Sequence, residues 1–391
     1  MSVNAVSIYV FFISLGLLFY TYIGYGLLAA CIGFLRRQPA FHIEAARQVP
    51  FTVIIPAYNE AKILPEKLSN TLQALQNFKE FQVILVTDGS SDGSAQLQLT
   101  DPHILHLHGA ERKGKSAAIN NAMENATGDI VAITDANAMV NAAAFEKMVA
   151  RFQREGTGAV SGEKKVIALD GSTGSEGFYW KYESFLKKYS ARMHSLTGGA
   201  GELLAFRKQL FKPIPPDAIL DDLELSLNII RQGKVIDYEP EAFATEPPSK
   251  SIRDEFNRKV RISAGVFQTL RRNLFVFNPF RHSIFIFQFN SHRVLRWTKG
   301  IDCILLLYIS NIFLIDTPYH HLLTAFFDVC LLLQSLFYGF VILGFLLRNK
   351  KNVPSFLFIP FYFIMMNTAV VVGFFRYLGG KESVLWKKAD R

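Results

Sequence analysis

Apolar residues are massed at the two ends of this chain, and the first mass is a nearly charge-free run from Val6 to Leu35 closed by Arg36-Arg37. At 1.5 Å of rise per residue a helix of that length crosses the roughly 30 Å core of a bilayer. The run is expected to be a retained anchor. A cleaved leader would need a basic start, a shorter apolar stretch and a small-residue cleavage site.

Apolar character returns after Phe280, in Gly300 to Ile315, Leu322 to Leu347 and Val353 to Phe375. The first of these is short and carries Asp302, and the last is broken by Pro354 and Pro360. Lys and Arg cluster at Arg36-Arg37, from Arg348 to Lys351 and from Arg376 to Arg391. The positive-inside rule draws all three clusters to the cytoplasmic face. Three full crossings after a cytoplasmic middle would leave the basic tail outside, so one C-terminal segment is expected not to cross. The residues leave open which one, and the expected location is a multi-pass cell membrane with the middle of the chain in the cytoplasm.

The formal charge of +9 suits anionic lipid head groups and diphosphate ligands. Nucleic acid is not an expected partner, because the middle holds no basic stripe interleaved with aromatics. Cys31, Cys303 and Cys330 all lie in apolar segments, where they read as small hydrophobes.

Between Pro50 and about Arg272 short β-rich runs alternate with helical stretches, the pattern of an α/β sheet. Strands are expected at Phe51–Ile55, Phe81–Val86, His103–Leu107, Ile130–Thr134 and Ala159–Val166. Helices are expected at Glu60–Gln76, with Leu64, Leu68, Leu72 and Leu75 on one face, and at Ser116–Ala126, Gly174–Ser190 and Leu220–Arg231. The domains therefore divide as 1–36 (anchor), 50–272 (α/β) and 280–391 (interfacial and membrane segments).

Two strands run into an aspartate, Val83-Ile84-Leu85-Val86-Thr87-Asp88-Gly89 and Ile130-Val131-Ala132-Ile133-Thr134-Asp135-Ala136-Asn137. In an open parallel sheet the carboxyl ends of the strands line the ligand crevice, so the two acids can converge on one polar ligand, directly or through a cation. The first strand ends in Pro56-Ala57-Tyr58-Asn59-Glu60, where the proline stops the ladder. Asp92 is assigned to helix capping. Gly109-Ala-Glu-Arg-Lys-Gly114-Lys115-Ser116 fits the phosphate-binding pattern G-x-x-x-x-G-K-[ST], so a P-loop NTPase must be weighed. Against it, two earlier strands have polar ends of their own.

Together these residues resemble the family 2 glycosyltransferases, whose GT-A fold is a Rossmann-like nucleotide-sugar-binding domain with a mostly parallel sheet, here flanked by transmembrane helices. The resemblance covers Thr52 to about Leu270. The family's P-x-Y/R-N-E falls on Pro56, Ala57, Tyr58, Asn59 and Glu60. Its nucleotide-base aspartate falls on Asp88, and its G-K-x-x-A-L-N on Gly114 to Asn120, with Lys115 and Asn120 matching. Its D-x-D falls on Asp135, Ala136 and Asn137, where asparagine replaces the second acid. A D-x-D holds Mg²⁺ or Mn²⁺ against the diphosphate, whose growing charge must be neutralised as it leaves. Asp135 and Asn137 are thus the implied metal ligands, and Asn137 supplies only a carbonyl oxygen.

Thr197-Gly198-Gly199-Ala200-Gly201-Glu202 resembles the family's glycine-rich segment under the donor sugar, with Gly199 in contact. Asp221-Asp222 resembles its acidic pair, with Asp222 as the base that deprotonates the acceptor hydroxyl and inverts the anomeric centre. In Glu255-Phe-Asn-Arg258-Lys259-Val260-Arg261 the two arginines share a helix face, and the resemblance assigns them to the departing diphosphate, although the family's Q-x-x-R-W reads R-x-x-R-I here. Ser291 to Trp297 reads as an interfacial anchor.

The resemblance implies a membrane-bound, inverting hexosyl- or N-acetylhexosaminyl-transferase related to the bacterial exopolysaccharide enzymes. It would move a sugar from a UDP-linked donor to a lipid-linked or nascent glycan acceptor delivered at the membrane. Single transfer is expected ahead of processive synthesis, because Q-x-x-R-W is absent and the C-terminal segments are few. A non-catalytic sugar-nucleotide or lipid-transport module is the remaining alternative.

Overall fold

The protein is described by a computed structural model covering residues 3–36, 39–166, 177–249, 251–315, 321–348, 350 and 353–380. Its chain falls into two compact units. Ala29–Ser249 and Gly265–Ile286 make one, and Met1–Leu28, Lys250–Ala264 and Phe287–Lys381 the other. The Ile252–Arg272 helix is divided between the two units.

Among the described residues the first unit holds eight strands: β1 Phe51–Ala57, β2 Phe81–Asp88, β3 Ile104–Gly109, β4 Ile130–Thr134, β5 Met139–Val140, β6 Thr157–Val166, β7 Leu203–Arg207 and β8 Val235–Glu246. They form one sheet in the order β3-β2-β1-β4-β7-β6-β8-β5. β3, β2, β1 and β4 are parallel, β7 runs antiparallel to β4 and β6, β8 pairs parallel with β6, and β5 pairs antiparallel with β8. β1 and β4 are buried along their whole length and β2 from its third residue on, which is why they read as unbroken apolar runs. Val53, Ile54, Ile55, Val83, Ile84, Leu85 and Val131 are fully buried, each such side chain contributing about 1.5–3 kcal/mol over an exposed one.

From β1 the chain steps outward to β2 and β3, then returns to the other side of β1 as β4. The order reverses there, and in open sheets ligands bind outside the carboxyl ends of the strands at such a reversal. The motif ends Pro56–Glu60 and Asp135–Asn137 therefore flank one crevice.

Flanking helices follow the expected pattern with shifted ends. The first spans Leu64–Leu75, because residues 60–63 close a turn in which the Glu60 carbonyl accepts the N–H groups of Ile63 and Leu64. The second spans Lys115–Asn125 and the fourth Asp221–Arg231. The third is Gly177–Met193, and residues 174–176 of its expected range lie outside the described residues.

In the other unit, Leu322–Leu347 and Ser355–Leu378 are helices long and apolar enough to cross a membrane, as is Asn4–Leu35, which begins there. Gly300–Ile312 is a 13-residue helix, about 20 Å long, too short to span. The proline-broken segment is thus the continuous one, with Pro360 near the start of its helix. Helices approach closely at glycines: a Cβ on Gly344 would stand 2.5 Å from the Leu357 carbonyl, and one on Gly300 2.4 Å from Asn367 Oδ1. Tyr22 Oη donates to the same Asn367 oxygen at 2.9 Å. The expected anchor Ser291–Trp297 starts within a π-turn, Asn290–Val294, with Ser291 and His292 buried and the Arg293 guanidinium 5.6 Å from the Trp297 ring. Cys31, Cys303 and Cys330 are free thiols. Of the basic clusters, Arg37, Lys351 and residues 381–391 lie outside the described residues.

Candidate active site

A cleft of about 480 Å³ opens at the strand ends, lined by residues that include Pro56, Tyr58, Asp88, Lys115, Asp135 and Asn137. Ala57, Glu60 and Ala136 also line it. Asn59 sits just behind the rim with φ of 54°, and its side-chain carbonyl accepts Ser91 N–H at 2.8 Å. Asp92 ties the same two loops together, accepting Ala61 N–H at 2.9 Å and Ser94 N–H at 3.0 Å, which caps the short turn after it.

The two strand-end aspartates have different partners. Asp88 is 8 % exposed, and its two oxygens accept Lys113 N–H at 2.8 Å and Gly114 N–H at 2.7 Å. Those are the backbone donors a P-loop would aim at a phosphate, and here a carboxylate holds them. The G-x-x-x-x-G-K-S stretch is therefore not built as a phosphate cradle.

Asp135 instead meets a side chain. Lys115 Nζ lies 2.7 Å from Asp135 Oδ1 and 3.3 Å from Asp221 Oδ2, bridging β4 to the first turn of the Asp221–Arg231 helix. Burial opposes the Lys115 charge, but Asp135 and Asp221 outweigh it and hold the ammonium above the usual lysine range. Burial pushes the Asp135 carboxyl up, with Lys115 pulling it down and Glu246 and Glu202 adding to the push. Asp222 is pushed up to about 7 by burial and then by the Asp221 carboxylate beside it, against the pull of Lys115.

Beneath the Asp135 turn lies a lysine that sequence reasoning missed. Lys67 is fully buried, and its Nζ donates to Thr134 Oγ1 at 3.0 Å and to the Ala138 carbonyl, gripping the turn at both ends. Burial pulls its ammonium down to about 7, although Asp135 and Glu246 favour the charge. The signal was present: Lys67 and Thr71 share the buried stripe with Leu64, Leu68 and Leu75.

Arg112 was also missed. Its guanidinium lies 3.6 Å from the Tyr58 ring centroid at the cleft rim. Gly89, at φ of 62°, makes room for it, since a Cβ there would meet Arg112 N at 2.4 Å.

Two expected contacts lie elsewhere. Asn120 exchanges two hydrogen bonds with the Ile214 backbone, at 2.8 and 2.9 Å, and is not among the residues lining the cleft. Its spacing in the motif serves to fix the Phe211–Leu220 loop. Gly199 packs on Leu204, where a Cβ would come within 2.5 Å, and its N–H donates to Ser226 Oγ at 2.9 Å. Gly201 is the glycine beside the acid pair, its Cβ position 3.3 Å from Asp222 Oδ2. Arg258 and Arg261 belong to the other unit, where Arg258 forks onto Glu255 at 3.0 and 3.1 Å.

For a divalent cation, the cleft offers the Asp135 carboxylate and the Asn137 carbonyl oxygen. No group of three His, Cys, Asp or Glu side chains able to hold a metal occurs among the described residues. This donor set fits a cation that brings phosphate and water ligands with it, as Mg²⁺ does when one or two carboxylates complete its shell.

An α/β crevice of this topology, with acids and a lysine converging at the strand reversal, defines a nucleotide-sugar-type transferase fold. Residues 52–214 match the family described as glycosyl transferase family 2, and the chain carries a glycosyltransferase domain of that family. It is 24% identical over 362 residues to a poly-β-1,6-N-acetyl-D-glucosamine synthase of Staphylococcus epidermidis, covering 86% of each chain. It is also 24% identical over 250 residues to the synthase of that description from Staphylococcus aureus strain COL, spanning 62% of this chain and 60% of that one. Among solved structures, a Pyrobaculum calidifontis mannosyltransferase, in complex with GDP-mannose and Mn²⁺, superposes with a TM-score of 0.68 at 20% identity, covering 97% of this chain and 100% of that one. The fold is GT-A, a mixed and largely parallel sheet with apolar helices at both ends of the chain.

Proposed function

We propose that the protein is a membrane-bound inverting glycosyltransferase that moves a sugar, a hexose or N-acetylhexosamine, from a UDP-linked donor to a lipid-linked or nascent glycan acceptor. The observation that carries this reading is the meeting of Asp135, Lys115 and the Asp221–Asp222 pair at one strand reversal. Opposite charges are gathered where a diphosphate would leave, beside an acid suited to accept a proton.

Asp222 is the base in this reading. A carboxyl raised to about 7 is matched to proton transfer at neutral pH, and Gly201 leaves its oxygen without a side chain in front of it. Tyr58 and Arg112 offer flat faces for the base at the rim, while Asp88 holds the loop that carries Arg112. Asp135 and Asn137 would hold Mg²⁺ or Mn²⁺, which supplies positive charge to the leaving diphosphate. Arg258 and Arg261 enter as diphosphate ligands from the sequence pattern alone.

Processive polysaccharide synthesis is the second reading, favoured by the similarity to the S. epidermidis synthase over 86% of the chain. For topology, three spans at Asn4–Leu35, Leu322–Leu347 and Ser355–Leu378, with Gly300–Ile312 not crossing, support a cytoplasmic catalytic domain and return the basic tail to the cytoplasm.

The test is transfer from radiolabelled UDP-N-acetylglucosamine, UDP-glucose and GDP-mannose by full-length protein in detergent with Mn²⁺. The expected result is release of UDP from a UDP-sugar, lost in Asp222→Asn with UDP affinity kept within about twofold; a polymeric product selects the second reading. Release of no nucleotide from any donor would overturn the proposal, and loss of UDP binding in Asp222→Asn would remove Asp222 from the base position.

A further inference from the structure

We propose that Lys115 is a cation that changes partners, holding Asp135 and Asp221 and releasing Asp135 only when a nucleotide diphosphate is there to take the ammonium instead. The inference rests on the nucleotide-sugar reading above and adds an order of binding to it: the divalent cation enters with the nucleotide and not before.

Three observations carry it. Lys115 Nζ stands 2.7 Å from Asp135 Oδ1, at hydrogen-bonding distance from a carboxylate that would ligate a metal, so the ammonium and a metal compete for the same atom. Asn137 removes the usual alternative, because the second position of the motif offers an uncharged oxygen and leaves Asp135 as the one charged ligand of the pair. The turn itself is fixed from behind by Lys67, through Thr134 and Ala138 at its two ends, so the carboxylate is not the part that moves. The exchange falls to Lys115, whose four-carbon side chain reaches the cleft from the start of its own helix and is 19 % exposed there.

A bare metal ion would have to displace the ammonium from Asp135 and leave it with Asp221, at 3.3 Å, in place of two carboxylates. With a diphosphate present the ammonium has a second anionic partner, and the metal gains phosphate ligands, so the two ligands favour each other. That coupling is reciprocal: whatever factor the nucleotide adds to metal affinity, the metal adds to nucleotide affinity.

Full-length protein in detergent is titrated with Mn²⁺ alone, following the free-ion spectrum by electron paramagnetic resonance, and then with Mn²⁺ at saturating UDP. In the wild type, affinity for Mn²⁺ should rise at least tenfold with UDP. Lys115→Met and, as a second neutral variant, Lys115→Gln should bind Mn²⁺ alone at least tenfold more tightly than the wild type, while Lys115→Arg, which keeps the charge, should not. The gain should vanish in Lys115→Met/Asp135→Asn. Equal affinity for Mn²⁺ alone in the wild type and the neutral variants would overturn the inference, as would equal wild-type affinity with and without UDP or a gain that survives loss of the Asp135 charge. The reading above fails separately: a wild type that binds no UDP with Mn²⁺ present contradicts it even where the neutral variants gain metal.

Discussion

Asp88 and Asp135 end neighbouring regions of one sheet on nearly the same sequence pattern, and they are bonded to different kinds of group. Asp88 accepts two backbone N–H groups of the β3-to-helix loop, whereas Asp135 faces the Lys115 side chain. A backbone partner cannot leave without unfolding the loop. A lysine partner can swing away. The acid at the end of β2 therefore builds the wall of the cleft, and the acid at the end of β4 is available to ligands that enter it.

The sharpest way to break this contrast is to remove each charge. Asp135→Asn should lower transfer by roughly 10²-fold or more, since it removes charge where charge develops, with a smaller loss of stability than Asp88→Asn, because Lys115 keeps Asp221 as a partner. Asp88→Asn should do the reverse in kind, destabilising the protein by about 1–3 kcal/mol as one buried backbone donor loses its acceptor. Comparable stability losses in both variants, measured by denaturant unfolding, would end the distinction.

The pH profile bears on the ligand-facing side of the comparison. With Asp222 raised to about 7, transfer should increase about tenfold per pH unit below that value and level off above it, because the base works only when ionised. A profile already flat from pH 5 would exclude it. On the wall side, Gly89→Ala should cost about 1–3 kcal/mol, because alanine must adopt φ of 62° with its Cβ against Arg112, and should weaken UDP binding through the displaced guanidinium.

The smallest expected effect concerns Lys67. Unfolded it titrates near 10.4, and folded near 7, so between those values the unfolded chain binds the extra proton and stability rises with pH. Lys67→Met should lose that rise between pH 7 and 10, while below 7 the two proteins should keep a constant offset. Parallel curves of melting temperature against pH across the whole range would show that the lysine stays charged.

The parallel half of the sheet was legible because its strands are buried on both faces and end in polar residues, and Phe51 to Ala57 and Ile130 to Thr134 appear nearly where expected. β7 and β8 were not. Leu203–Arg207 is five residues long and does not alternate, and Val235–Glu246 is interrupted by Pro240, exposed beside a register shift against β6. The strand-end residues reached the cleft because topology puts them there. Asn120 and Gly199 did not, because a motif records spacing along the chain and not which way a side chain turns. Lys67 escaped notice because a lysine in a leucine stripe reads as a solvated position until the turn above it is seen to need a donor.

Gly201 gives the site an uneven capacity for change. The surface facing Asp222 is main chain there, with a Cβ position only 3.3 Å from the acid, so no substitution of Gly201 can reshape that side without pressing on the carboxylate proposed as the base. The rim made by Tyr58 and Arg112 has no such constraint. In a lineage diverging toward new donors or acceptors, the chemistry stays fixed on the glycine side while recognition drifts across the rim, and sequence differences between relatives of unlike specificity should collect there.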